Sequence, residues 1–418
     1  MSAVDQDYRD PPLRCVVVAH SANPHTGASV PMIGHRISSQ LGKLTDATFV
    51  FHARHREDLD GAFPIDRVMY AGSSRLANAL RRFSSRLFPN GGAPVAIIEF
   101  LDYLLFDLDA YRQIRRALRR SEFDFVLRVN PVSYQYASIL AWLPAPVFTG
   151  PHNSGMNWPP GFAFLKRQRE TLDRLRFSGP VMHALYKDTG RYAGIFVANE
   201  LCARTVGRKY QDRVLFCSET GVEGLQEQSP HAGDARRLLY VGRLVPFKAV
   251  DTLIRALARL PATVHLTVVG DGAQRPQLEA LARDLSVHER CLFVGWQPEA
   301  ELARYYADAG VFVFPSVRES AGTVVLQAMS HGLPCVVANW AGPAAFTEGV
   351  GCQLSVESPQ ALENHMVSTL LQMLADPAVG HRMGVSSREV IGGQYVWERK
   401  AELLLEAISR RLASVSPP

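Results

Sequence analysis

The segment LLYVGRLVPFKAVDTLIRALARLPATVHLTVVGDG, Leu238 to Gly272, decides the fold. LLYVG and TVHLTVVG are short runs rich in aliphatic and β-branched residues that end on glycine, the pattern of strands closed by a turn. Between them, DTLIRALARL places Leu253, Ile254, Leu257 and Leu260 on one helical face. The alternation continues downstream through RPQLEALARDL, CLFVG, ELARYYADAG, VFVFPS, VVLQAMSHG and PCVVAN. Upstream, CVVVAH, ATFVFH, PVAII, FDFVLRV, APVFTG, GIFVAN and RVLFCS read as strands, with helical-period stretches between most of them. Unbroken apolar runs suit strands buried on both faces, so the predicted class is α/β: two Rossmann-like, doubly wound parallel-sheet domains facing a cleft.

The polar stretch EGLQEQSPHAGDARR, with Pro230 and Gly233, interrupts the alternation and reads as a linker. The predicted organisation is a tail over 1–12, one domain over 13–225, a linker over 226–236, a second domain over 237–392, and an amphipathic helix with tail over 393–418. In such domains ligands bind where the carboxyl ends of the strands open.

Composition bounds the function. The chain has 418 residues, 47% hydrophobic and 20% charged, enough for two or three sizeable cores. A net charge of +5 is far from the dense basic stripe of a nucleic-acid binder, and no nucleic-acid partner is expected. Cys15, Cys202, Cys217, Cys291, Cys335 and Cys352 are scattered without a CxxC pair and read as small buried hydrophobes in a reducing compartment. The acidic start lacks the features of a signal peptide, and no run reaches the roughly 18 apolar residues that span a bilayer, so a cytoplasmic protein is expected. His20 and His25 lack a third ligand at a sensible spacing, and no metal is expected.

Neither domain's first strand leads into GxGxxG, which disfavours a nicotinamide dehydrogenase. After LLYVG come Arg243 and Lys248, two cations beyond a strand's carboxyl end, suited to a diphosphate or else simply solvated in a loop. In PSVRESAGTVVLQAMSHG, Glu319 precedes a turn at Ser320, Ala321 and Gly322, and a helix opens whose free amides at Gly322 and Thr323 face the same region. A bare acid favoured by the helix dipole explains Glu319 equally on spacing alone.

The series YVGRLVPFKAVDTLIRAL, LTVVGDG, LFVGW and VFVFPSVRESAGTVVLQAMSHGLPCVVANWAGP resembles, in order, the carboxyl-terminal donor domain of the family 4 retaining glycosyltransferases. NPHTGAS and FTGPHNSG resemble that family's cleft-facing loops in the amino-terminal, acceptor domain. The resemblance implies the B-type fold (GT-B), a nucleoside diphosphate sugar as donor, retention at the anomeric carbon, and neither cofactor nor metal. It implies that Arg243 and Lys248 meet the diphosphate, that Glu319 lies at the donor sugar with Arg318 beside it, and that His152 lies near that sugar. Gly27 would let its loop pass close to the diphosphate or acceptor, and the base would lie near Gly295 and Trp296. Family members carry glutamate, binding the ribose, where this chain has Gln327. An amide replaces a charge-assisted contact with a neutral one, so Gln327→Glu is expected to tighten nucleotide binding.

The expected partners are the nucleotide-sugar donor and a saccharide or lipid-linked acceptor. The basic stretches YRQIRRALRR and FLKRQRETLDRLR would meet anionic lipid at the inner membrane face if that acceptor is membrane-borne, and are otherwise solvated helix faces. A sugar-nucleotide epimerase or phosphorylase, or a non-catalytic nucleotide-sugar-binding member, are the alternative readings.

Overall fold

Thirteen parallel strands form two sheets in the computed structural model, which describes residues 11–26, 29–72, 79, 93–168, 178–225 and 234–414. The first sheet contains β1 (Arg14–Ala19), β2 (Asp46–His52), β3 (Val68–Ala71), β4 (Phe125–Asn130), β5 (Val147–His152), β6 (Gly194–Val197) and β7 (Val214–Phe216) in the order β3-β2-β1-β4-β5-β6-β7. The second contains β8 (Arg237–Val241), β9 (His265–Val269), β10 (Cys291–Gly295), β11 (Val311–Phe314), β12 (Cys335–Ala338) and β13 (Cys352–Leu354) in the order β10-β9-β8-β11-β12-β13. Strand order reverses between β1 and β4 and again between β8 and β11, and a crevice opens at each reversal.

Side chains along a strand alternate between the faces of its sheet, so unbroken apolar runs fill two layers. In β1, Cys15, Val17 and Ala19 join one core and Val16 and Val18 join another. A fully buried aliphatic or aromatic side chain contributes about 1.5–3 kcal/mol, which makes these runs the main support of each sheet.

Two details depart from the sequence reading. PVAII is not a strand: it lies in the helix Ala93–Ala117. A five-residue apolar run has no period of its own, and here it continues into a long helical pattern, with Pro94 tolerated in the first turn. The edge strands β3 and β13 were not anticipated, being four and three residues long.

The predicted linker over 226–236 and tail over 1–12 lie largely outside the described residues. The C-terminal helix Trp397–Ser414 returns to the first domain, where Trp397, Ala401, Leu404 and Ile408 join its core. Val222 pairs with Val396 where the chain crosses back. A second crossing follows β5: Phe162 is buried in the second domain's core, and Asn157 O accepts from Trp340 Nε1 at 3.0 Å. No helix among the described residues is long and apolar enough to cross a membrane.

Candidate active site

Lys248 follows β8 and Glu319 follows β11, so the strand reversal brings together residues that the sequence separates by 71 positions. Lys248 Nζ donates to Glu319 Oε2 in an ion pair whose side chains are 9% and 20% exposed. The two loops are also joined through their backbones: Val317 N donates to Phe247 O at 2.9 Å. The Lys248 ammonium lies 4.7 Å from the centre of the Phe314 ring, a cation–π contact that fixes its approach.

The turn carrying Glu319 depends on glycine at two points. Gly322, at φ 71°, caps the helix Thr323–Ser330 in the left-handed region. A Cβ on Gly342 would sit 2.0 Å from Ser320 O, so only glycine allows that close packing. Thr323 begins the helix, where amides lack intrahelical partners, and its hydroxyl lies 2.8 Å from the Thr220 hydroxyl of the first domain. Ser320 and Ala321 are half-buried in this turn. The Arg318 guanidinium lies 4.8 Å from the centre of the Trp158 ring, which belongs to the crossing segment. Arg243 is exposed at the cleft end of β8.

Gly295, Trp296 and Gln327 are the remaining predicted donor positions among the described residues. Trp296 is 71% exposed directly after Gly295, which ends β10 at φ 85°. Gln327 is held from both sides: Tyr306 OH donates to its Oε1 at 3.1 Å, and its Nε2 donates to Glu299 Oε1 at 3.0 Å.

Comparison with known proteins agrees with this fold. Residues 235–373 match the family described as "Glycosyl transferases group 1". LpsE, the lipopolysaccharide core biosynthesis glycosyltransferase of Rhizobium meliloti, is 33% identical over 178 residues, which cover 43% of this chain and 51% of LpsE. The D-inositol 3-phosphate glycosyltransferase of Mycolicibacterium gilvum is 34% identical over 187 residues, 43% of this chain and 40% of that protein. The chain thus spans about half the length, or less, of these two relatives. The GDP-mannose-dependent alpha-(1-6)-phosphatidylinositol monomannoside mannosyltransferase of Mycolicibacterium smegmatis is 33% identical over 263 residues, 60% of this chain and 68% of that enzyme. The chain belongs to the group 1 glycosyltransferases. The crystal structure of Anabaena Alr3699/HepE in complex with UDP shares the two-domain GT-B fold, with a TM-score of 0.63 at 15% identity over 95% of this chain and 100% of that one.

For a group 1 glycosyltransferase, the surroundings of Gln327 reverse one expectation. A glutamate there would face the Glu299 carboxylate and could not donate to it. Gln327→Glu is therefore expected to lower stability by about 1 kcal/mol without tightening nucleotide binding, and Gln327→Glu with Glu299→Gln to restore the parent. Thermal melts of both variants decide this: an unchanged melt and tighter binding for the single variant would return the original sign.

In the first domain of this group 1 glycosyltransferase, His152 ends β5 and is only 1% exposed. Its Nε2 lies 3.0 Å from Thr149 Oγ1, and burial, then the charges of Arg128 and His183, push it well below its ordinary value. The next residue, Asn153, is half-buried. Asn153 Nδ2 donates at 2.9 Å to Glu219, a buried acid that the sequence reading missed. A lone glutamate in SETGVE carries no periodic or motif signal. Gly27 lies outside the described residues.

His20 does meet further polar groups, though not His25: its side chain, His52 and Asp102 bring potential ligand atoms within 4.8 Å. Hydrogen bonds occupy all but one of them: His20 Nε2 stands 3.6 Å from Asp102 Oδ2. Arg54 donates to Asp102 Oδ2 at 2.8 Å and to His20 Nδ1 at 3.3 Å, and its backbone N–H donates to His52 Nδ1 at 3.1 Å. Acceptance at both Nδ1 atoms leaves the protons on the Nε2 atoms that face Asp102. Burial opposes the Asp102 charge, but hydrogen bonds from His20 and His52 and the Arg54 guanidinium hold it below the usual carboxylate range. The cluster fits a neutralised ion pair better than a cation site.

Proposed function

We propose that this protein is a retaining glycosyltransferase that moves a hexose from a nucleoside diphosphate sugar to a saccharide or lipid-linked acceptor, without a metal ion, in polysaccharide or glycoconjugate biosynthesis. The observation that carries this reading is the Lys248–Glu319 pair at the strand reversal of the second sheet, beside the opening of the helix Thr323–Ser330. The names of the relatives support it: one acts in lipopolysaccharide core biosynthesis, one on a phosphatidylinositol mannoside, and HepE binds UDP.

In the proposed reaction the bond between the anomeric carbon and the β-phosphate oxygen breaks, and its electrons leave with the nucleoside diphosphate. Lys248, Arg243 and the first amides of the helix meet the growing phosphate charge. Glu319 holds the sugar hydroxyls and faces the positive charge at the anomeric carbon. The acceptor hydroxyl bonds to that carbon on the face the phosphate leaves, and its proton passes to the departing phosphate oxygen. Arg112, Arg115, Arg116, Arg119 and Arg120 are exposed at and beyond the end of the helix Ala93–Ala117, where a cytoplasmic enzyme would rest on anionic lipid. Part of the second basic stretch lies outside the described residues.

Calorimetric titration with UDP, GDP, ADP and their common sugar conjugates, with and without EDTA, tests the proposal. Saturable binding of one base, unaffected by EDTA, is expected; no binding by folded protein would sink the reading, and dependence on a divalent ion would sink its metal-free form.

A further inference from the structure

Glu219 presents an anomaly. It is 1% exposed, and although Oε1 accepts from Asn153 Nδ2 at 2.9 Å, Oε2 is buried without a hydrogen-bond partner among the described residues. A glutamate kept only to complete a structural network would have both oxygens satisfied. It lies instead where the domains meet: the adjacent Thr220 hydroxyl is 2.8 Å from that of Thr323, and two residues further Gly221–Val222 cross toward Tyr395 and Val396. The charged groups around it are Lys400, from the helix Trp397–Ser414, and Glu319 of the opposite domain, while Cys202 lies on a third side. Burial pushes the Glu219 carboxyl above its ordinary range, with Asn153 and Lys400 opposing and Glu319 adding to the rise.

Asn153 is the half-buried end of this contact. It follows β5 at the carboxyl edge of the first sheet, and four residues later the chain reaches Trp340 of the second domain. Because Nδ2 is engaged by Glu219, the amide carbonyl is turned the other way; Oδ1 accepts nothing among the described residues and is not buried. A fixed, accessible acceptor at the carboxyl edge of the first sheet suits a hydroxyl donor.

We propose that Asn153 and Glu219 form a sugar-recognition pair: Asn153 Oδ1 accepts from a hydroxyl of the donor's hexose, and Glu219 is the positioning residue that sets the amide. This rests on the proposed function and adds to it a contact from the first domain that distinguishes a sugar nucleotide from the bare nucleoside diphosphate.

The test needs no acceptor. Affinities of the parent for UDP, UDP-glucose, GDP and GDP-mannose are measured by calorimetry, and for the pair that binds, the ratio of sugar-nucleotide Kd to diphosphate Kd is followed. Asn153→Ala and Glu219→Ala are each expected to raise that ratio about tenfold with the diphosphate Kd unchanged. Glu219→Gln, which still accepts from Asn153, should stay near the parent, and Asn153→Ala with Glu219→Ala should be no worse than Asn153→Ala alone. An unchanged ratio in Asn153→Ala, an equal loss in Glu219→Gln, or multiplied losses in the double variant overturns the pair while leaving the functional reading intact. Asn153→Ala and Glu219→Gln keep the test decisive if Glu219→Ala fails to fold. A parent that binds none of the four ligands, nor ADP and ADP-glucose, overturns the functional reading itself, and the pair with it.

Discussion

Glu319→Gln is expected to lower sugar transfer by roughly 10²–10⁴-fold while leaving nucleoside diphosphate affinity within about threefold of the parent. Glutamine keeps the shape of the side chain and one acceptor, so the loss reports the charge rather than a cavity. In the ligand-free protein the substitution also strips Lys248, 7% exposed, of its anionic partner. Removing one member of a buried pair costs several kcal/mol, but Glu319 is partly solvated, so a loss of about 1–2 kcal/mol is expected. With diphosphate affinity near the parent's, the rise in Tm on adding nucleotide should also stay near the parent's. Lys248→Ala provides the contrast, since it should weaken diphosphate binding and turnover together. The assignment fails if Glu319→Gln transfers sugar within tenfold of the parent, or if diphosphate affinity falls as far as the rate does.

The sequence made the architecture readable because both sheets are buried on two faces, and runs such as CVVVAH, FDFVLRV and VFVFPS leave little ambiguity between strand and loop. It was silent where the signal is short or shared: PVAII is too brief to reveal a period, and β13 is three residues at a sheet edge. Of the candidate site, Lys248 and Glu319 were legible because each follows a strand at a predictable place. Their ion pair follows from the β8–β11 adjacency, which strand order alone determines. Gln327 was legible as a departure, but its meaning was not. The partner that explains it, Glu299, lies 28 residues earlier on another helix, and no local pattern joins the two. His152 shows another limit, since position at the end of a strand did not say that the side chain would be buried. Glu219 and Asn153 lie 66 positions apart and meet only through tertiary folding.

The first domain is expected to lose stability in mild acid, because it holds several histidines in the neutral form. Burial lowers His20 to about 3 and His35 and His55 to about 4, and takes His152 well below its ordinary value; nearby cations add to each shift. All four lie within the first domain. In the unfolded chain each binds a proton near pH 6.5, so below that pH the unfolded state holds more protons and stability falls as pH drops, until the folded values are reached. Two acids oppose this. Burial raises Asp107 to about 6 and lifts Glu219, so both bind protons in the fold before they do so unfolded, and add stability on acidification. The four histidines outnumber the two opposing acids, so unfolding takes up protons and stability falls as pH drops through this window, by about 1.4 kcal/mol per pH unit for each net proton. A domain near the lower end of about 5–15 kcal/mol would lose much of its stability across that window. Urea unfolding at a series of pH values measures it, with hydrogen exchange assigning the loss to the first domain. A buried aromatic in place of one histidine, as in His20→Phe, should flatten the slope by about one proton, provided the folded baseline at neutral pH is kept. A stability constant from pH 7 to 5 would mean that these imidazoles find compensation on charging, and that the first domain yields to accommodate them.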